Sequence, residues 1–365
     1  MNPLRNLHES GQSLWLDNIT RTLLDDGSLQ RYIDEFSITG LTSNPSIFQK
    51  AIAGSDAYRP AIKSSGAADA EALFFELALD DLRRAADLFA PVHRRTRGMD
   101  GWVSLEVSPL LADDAKATVA AAVALHRRAA RSNLFIKIPG NAAGCMAIEE
   151  ATFAGVPVNV TLLFSGRQLL AAAEAWLRGI ERRIASGEDP HIPSVLSLFV
   201  SRWDVAVSGR VPVELHNRLG IAAAWRAYKD YLDLCETPRW RSLAAAGVAP
   251  QRLLWASTGT KDPRAPDTLY VDALAAPGTI NTLPENTIRA FSEHGRVGPP
   301  VPCDGLAADA ELERFTQAGI DIGAMAERLQ QEGKEAFDKS WQALLAVLAD
   351  EMSRRGGNPA AGARH

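Results

Sequence analysis

Asn133-Leu-Phe-Ile-Lys137-Ile-Pro-Gly140 reads as an apolar strand with a lysine set in its middle. Lysine is among the side chains least often fully buried, and taking an ammonium out of water favours its neutral form. A neutral amine is the nucleophile that attack on a carbonyl carbon needs. A strand-end lysine can equally snorkel to water or pair with an acid, so the flanking sequence has to decide. Outward from this stretch, short apolar runs alternate with longer amphipathic segments. Strands are expected at 13–17, 38–42, 102–107, 133–138, 156–162, 195–200, 252–257 and 267–272. Helical patterns lie at 68–89, 113–131, 166–184, 221–235 and 324–350. In the first of these, Leu73, Leu77, Leu82 and Leu88 fall on roughly one face. Eight strands alternating with helices predict an α/β chain of parallel βα units, and eight is the number that closes a (β/α)8 TIM barrel.

No internal repeat and no long Pro/Ser/Gly linker divides the chain, so residues 1–353 are expected to form one domain with extra helices. The long final helix would pack over one barrel face, and residues 354–365 would be a disordered tail. Hydrophobic residues make up 46% of the 365 and charged residues 23%, the balance of a soluble globular protein. The formal net charge of -5 argues against nucleic acid or an anionic membrane as the main partner. A small anion held by a few local cations is still allowed. Cys145, Cys235 and Cys303 are far apart, odd in number and in no metal spacing, as expected of reduced cysteines in a cytoplasmic protein. The first ten residues lack the apolar core of a signal peptide, and no apolar run is long enough to span a membrane.

The period of two along each strand separates side chains by face. Glu106 shares a face with Ser104 and opposes Val103, Leu105 and Val107, while Lys137 opposes Leu134, Ile136 and Ile138. Asn159 and Thr161 likewise oppose Val158, Val160 and Leu162. Asp17 ends the first strand, and Thr42 and Asn44 follow the second. Taken singly, each has a plain structural reading. Glu106 could be a solvated edge acid, Asp17 a cap, Asn44 the start of a turn before Pro45, and Thr161 a strand former. Taken together they place polar groups of one parity late in five strands. In a closed parallel barrel that is where the site lies.

Leu16-Asp-Asn18, Leu41-Thr-Ser-Asn-Pro-Ser46, Ser104-Leu-Glu-Val107, Phe135-Ile-Lys-Ile138, Val158-Asn-Val-Thr-Leu-Leu-Phe-Ser165 and Ser197-Leu-Phe-Val-Ser-Arg202 resemble, in order, the motifs of the transaldolase family. Pro277-Gly-Thr-Ile-Asn-Thr-Leu-Pro-Glu-Asn286 and Ala318-Gly-Ile-Asp321 resemble its actinobacterial-type branch. The resemblance runs from about residue 10 to about residue 350. It implies a class I, Schiff-base transferase of the non-oxidative pentose phosphate pathway. Such an enzyme moves a dihydroxyacetone unit from sedoheptulose 7-phosphate to glyceraldehyde 3-phosphate, giving erythrose 4-phosphate and fructose 6-phosphate. Lys137 would form the Schiff base, and Asp17 would take the proton from the hydroxyl at the bond that breaks. Glu106 and Thr161 would hold a relaying water, and Asn44 and Asn159 would bind the retained fragment, with Thr42 beside them. Ser197, Phe199 and Ser257 would line the wall near Arg202, the phosphate arginine. Many relatives carry a second arginine two residues after the position of Ser257, where this chain has Gly259. Lys261 is expected to supply that charge, helped by the backbone amides of Thr258 and Gly259.

No metal or other cofactor is implied, since the iminium does the polarising. The implied partners are small sugar phosphates, and the oligomeric state stays open between monomer and homodimer. Three other readings of the same superfamily or architecture remain. A fructose-6-phosphate aldolase-like lyase would release the three-carbon fragment, but such enzymes typically carry glutamine at the place of Glu106 and tyrosine at that of Phe199. A non-catalytic phosphosugar-binding barrel would be expected to lose Lys137 or Glu106 while keeping Arg202. A glycoside hydrolase could use Glu106 and Asp17 but would leave Lys137 and the asparagines idle.

Overall fold

A computed structural model of the chain describes residues 2–356. Eight parallel strands make one sheet: β1 (Ser13–Leu16), β2 (Ile38–Leu41), β3 (Val103–Glu106), β4 (Leu134–Pro139), β5 (Val158–Leu163), β6 (Ser194–Phe199), β7 (Arg252–Ala256) and β8 (Ile280–Leu283). Hydrogen bonding runs in the order β2-β1-β8-β7-β6-β5-β4-β3. The two ends meet through a single parallel bridge, Gly40 with Trp102, flanked by Leu41 N–H to Trp102 O at 2.9 Å and Gly101 N–H to Thr39 O at 2.8 Å. This narrow seam closes the barrel. Gly40 stands on it because there is no room for a side chain. A Cβ would lie 2.7 Å from the Trp15 indole and 2.8 Å from the Trp102 carbonyl oxygen.

Helices between the strands form the outer layer, among them Ala70–Arg95, Ala115–Ala129, Ala142–Phe153, Gly166–Ala185 and Leu219–Cys235. Several start where the sequence supplies a capping oxygen. Asp69, Asp114, Asn141 and Ser165 each accept a first-turn backbone N–H. Leu14, Ile38, Leu105, Ile136, Val158 and Val160 face this layer. The opposite parity fills the barrel with Trp15, Trp102, Phe135, Val195, Leu254 and Ile280. Trp102 stacks on Phe135 with ring centroids 4.1 Å apart. Below them Trp15 Nε1–H donates to Asp100 at 2.7 Å, and Arg252 donates to Ser13 Oγ at 2.7 Å. The lower half of the barrel is therefore a packed plug, and chemistry is confined to the upper end. No helix among the described residues is long and apolar enough to cross a membrane.

Seven of the expected strands stand where the periodicity places them, within a residue or two at their ends. The eighth does not. Residues 267–272 hold the short helix Leu269–Ala273 instead, and β8 is Ile280–Leu283. Thr268 Oγ1 donates to Asp272 one helical turn on, at 2.8 Å, and the turn buries both Tyr270 and Val271. A helical turn thus satisfies the residues that alternation assigned to a strand. The expected final helix runs as Ile322–Gly356. The rest of the expected disordered tail, 357–365, lies outside the described residues.

Candidate active site

Parallel pairing sets Glu106 opposite Lys137 and Lys137 opposite Asn159. All three share the inward parity, two residues or more above the apolar plug, so they stand side by side across β3, β4 and β5. Lys137 is 5% exposed. Its Nζ donates to the Ser43 carbonyl at 3.0 Å and lies 3.4 Å from Glu106 Oε2. Ser43 is itself pinned, its hydroxyl donating to the Ser104 carbonyl at 2.7 Å. Glu106 is 4% exposed, and burial pushes its carboxyl above the usual range. Lys137 and Arg202 pull it back, and the charge of Asp17 adds to the rise.

Asn159, fully buried, accepts from Ser197 Oγ at 2.7 Å and donates to Ser104 Oγ at 3.1 Å, a polar rail across β3, β5 and β6. Thr161 sits one step higher, beside a defect in the sheet. Pairing of β5 with β6 slips between Val160 and Leu163, and Leu162 takes a left-handed φ of 59°. That conformation is uncommon for a branched side chain and marks an imposed local geometry. The Thr161 hydroxyl and both Glu106 carboxylate oxygens are buried, and among the described residues none of them takes part in a hydrogen bond beyond the Lys137 contact. Buried polar atoms are normally satisfied, often by water.

Across the barrel mouth, Asp17 follows β1. Thr42 Oγ1 donates to Asp17 Oδ1 at 2.9 Å, and Thr282 Oγ1 lies 2.7 Å from Thr42 Oγ1. Because the Thr42 proton goes to the carboxylate, Thr282 must be the donor in that second contact. Burial pushes the Asp17 carboxyl up, while Lys137, the Thr42 hydrogen bond and Lys261 pull it down. Asn44 caps the helix Pro45–Ala53, its Oδ1 accepting from Ile47 N–H at 3.1 Å and from Ser46 Oγ at 2.7 Å. Asn44 is thus a helix cap and not the start of a turn, and among the described residues only the oxygen of its side chain is engaged, not its amide nitrogen. A cavity of about 700 Å³ opens beside Asp17, lined by Asn18, Thr20, Lys50, Asn286 and Arg289. A second of about 760 Å³ lies against Leu219–Cys235; none of the expected site residues lines it, although Asp262, next to Lys261, does.

Arg202 is the second residue of the helix Ser201–Val207, which follows β6 after Val200. Its guanidinium carbon lies 5.0 Å from the Phe199 ring centre and 5.8 Å from that of Phe337 in the last helix. Among the described residues it forms no ion pair, although burial disfavours its charge and Glu106 and Glu332 only partly compensate. An arginine held by aromatic faces keeps its N–H fork for an anion. Ser257, with a left-handed φ of 57°, ties this wall to β7 through Ser201 Oγ at 2.9 Å. Lys261 is exposed, and its Nζ lies 3.6 Å from where a Cβ on Gly259 would stand. The ammonium therefore hangs over the place from which a side chain at 259 would start. Among the described residues no cluster of three or more His, Cys, Asp or Glu side chains is placed to hold a metal ion.

Of the twelve expected site residues, Lys137, Asn159, Thr161 and Ser197 lie within their strands and the other eight lie at or beyond strand C-terminal ends, Lys261 farthest out. Thr282, Ser104 and Ser43 join them without having been expected in a role. Ser104 was marked by its shared face with Glu106. Thr282 was hidden because β8 was placed elsewhere.

A family model described as Transaldolase/Fructose-6-phosphate aldolase matches residues 14–348. The chain is 43% identical to the transaldolase of Thiobacillus denitrificans over 358 residues, covering 95% of this chain and 100% of that one. It is 42% identical to the transaldolase of Frankia alni, with 97% and 99% covered, and 42% identical to that of Thermobifida fusca, with 96% and 98% covered.

Proposed function

We propose that this chain, which belongs to the transaldolase/fructose-6-phosphate aldolase family, is a transaldolase: a transferase that carries a dihydroxyacetone unit between sugar phosphates on Lys137. The observation that carries the reading is the buried amine of Lys137, 3.4 Å from Glu106 and in register with Asn159. In the proposed sequence the amine adds to the ketose carbonyl carbon, and water leaves to give the iminium. Glu106 and Thr161, both with unsatisfied oxygens, hold the water through which those protons move. Asp17 accepts the hydroxyl proton at the next carbon but one, the carbon–carbon bond breaks, and its electron pair passes to the iminium. A carboxyl held above its usual range is the stronger base for that step. The enamine waits on Lys137, held by Asn44 and Asn159, until a second aldose phosphate takes it up and the steps reverse.

The phosphate is assigned to Arg202 and Lys261, with Ser197 and Ser257 along the same wall. Phe199 favours transfer over release, since a ring without a hydroxyl has no proton to give the enamine. The unpaired state of Cys145, Cys235 and Cys303 is in keeping with a cytoplasmic enzyme, acting as monomer or homodimer. Borohydride reduction in the presence of fructose 6-phosphate, followed by peptide mass mapping, tests the assignment. A three-carbon adduct on the peptide containing Lys137 is expected. An adduct on another lysine, or turnover surviving Lys137→Met, would overturn it.

A further inference from the structure

The last helix, Ile322–Gly356, crosses the barrel mouth with a glycine in its buried face, Gly333. Glycine inside a helix is a poorer choice than alanine, so its presence asks for a local cause. The helix is pinned on both sides of that position. Gln330 Nε2 donates to the carbonyls of Leu162 at 2.9 Å and Gly140 at 3.2 Å, and Lys334 pairs with Asp113. With its register fixed, the helix brings residue 333 against two side chains of the site. A Cβ there would lie 2.9 Å from Leu162 Cδ2 and 3.0 Å from Arg202 Nη1. One turn further on, the Phe337 ring lies 5.8 Å from the same guanidinium.

We infer that Gly333 is a positioning residue for the substrate phosphate: the missing side chain leaves the space in which the Arg202 guanidinium rests between Phe199 and Phe337. Among the described residues no hydrogen bond or ion pair holds this arginine, and Glu106 and Glu332 act on it only by longer-range attraction, so packing sets its place. The atoms an added methyl would meet are the free ends of flexible side chains, not backbone. The helix can therefore accept alanine, and the displacement falls on the Leu162 side chain and on the Arg202 guanidinium. This rests on the reading of Arg202 as the phosphate-binding group.

The test compares Gly333→Ala, Phe337→Leu and Arg202→Ala in the full chain. Thermal midpoints, kcat and KM are measured with fructose 6-phosphate and with fructose as donors. For Gly333→Ala the midpoint is expected to hold or rise, since alanine is the better helix former. Its KM for fructose 6-phosphate should rise about fivefold or more with kcat within about twofold, and its KM for fructose should stay unchanged. Phe337→Leu should show the same selective rise. A merely structural glycine predicts a lower midpoint and equal losses on both donors, and that result overturns the inference. If Arg202→Ala is selective for the phosphorylated donor and Gly333→Ala is not, the inference alone falls. If Arg202→Ala is itself unselective, the phosphate assignment falls and takes the inference with it. Should Gly333→Ala not fold, Phe337→Leu decides by the same selective or unselective outcome.

Discussion

In the proposed mechanism Asp17 takes a proton and so has to be ionised, and burial holds its carboxyl above the usual range. Activity should therefore fail on the acid side at a pH above that of an ordinary aspartate, as the falling pH crosses the raised value. The Thr42 hydroxyl stabilises the charged form at 2.9 Å, and Thr282 orients that hydroxyl. Thr42→Val removes the donor, so the carboxyl is pushed up further. The acid limb of kcat/KM is then expected to move to higher pH, with kcat/KM at neutral pH falling by about tenfold. Thr282→Val should move the limb the same way by less, and a limb that stays put or moves down in either variant would refute the hydroxyl chain. At Phe199 the expected change is in the product. Phe199→Tyr places a phenol near the enamine, and free dihydroxyacetone formed without acceptor should increase severalfold over the parent chain. The shared face of part of the site was legible from residue type and parity because ladder pairing keeps parity. Lys137, Glu106 and Asn159 had to share a face once their strands paired in register. Thr42 and Asn44 lie just past β2 and were marked by their place at the strand's end, whereas Ser257, just past β7, was marked only by the motif resemblance.

At the level of elements, the barrel depends on a seam far thinner than its other pairings, one bridge between β2 and β3. Gly40→Ala would set a methyl 2.7 Å from the Trp15 ring and 2.8 Å from the Trp102 carbonyl, the latter being backbone that cannot step aside cheaply. Alanine should otherwise suit a strand better than glycine. The variant is nevertheless expected to lose about 1–3 kcal/mol of stability in urea unfolding, the usual cost of overpacking. A neutral or stabilising result would show that the seam is slack. The sequence revealed seven strands and mistook the eighth for reasons of length and environment. Four residues, Ile280-Asn-Thr-Leu283, carry two polar side chains. Thr282 points inward to Thr42, and Asn281 accepts from Thr258 at 2.9 Å, so neither gives an apolar alternation. The slip in β5 that frames Thr161 was likewise invisible, because a bulge is defined by pairing with β6 and not by its own residues.

Across the whole molecule the net charge of -5 opposes an anionic substrate, so attraction must come from the few cations around the mouth. The two assigned to phosphate differ in how water reaches them. Arg202 is part-buried between aromatic rings, whereas Lys261 is exposed. Salt screens an exposed charge strongly and a buried one much less, the screening length falling from about 10 Å at 0.1 M to about 3 Å at 1 M. Raising ionic strength should therefore increase KM for fructose 6-phosphate mainly through Lys261. In Lys261→Ala, KM is expected to be higher at low salt by about threefold to tenfold, the worth of roughly one part-exposed ion pair. The rise of KM with salt should also be much flatter than in the parent chain. Fructose should show neither effect. Arg202→Ala should instead raise KM at every salt concentration and leave the slope largely intact. Steady-state kinetics across a salt series with both donors separates the two residues. An unchanged slope in Lys261→Ala would remove it from the phosphate site and leave Arg202 as the assigned anchor.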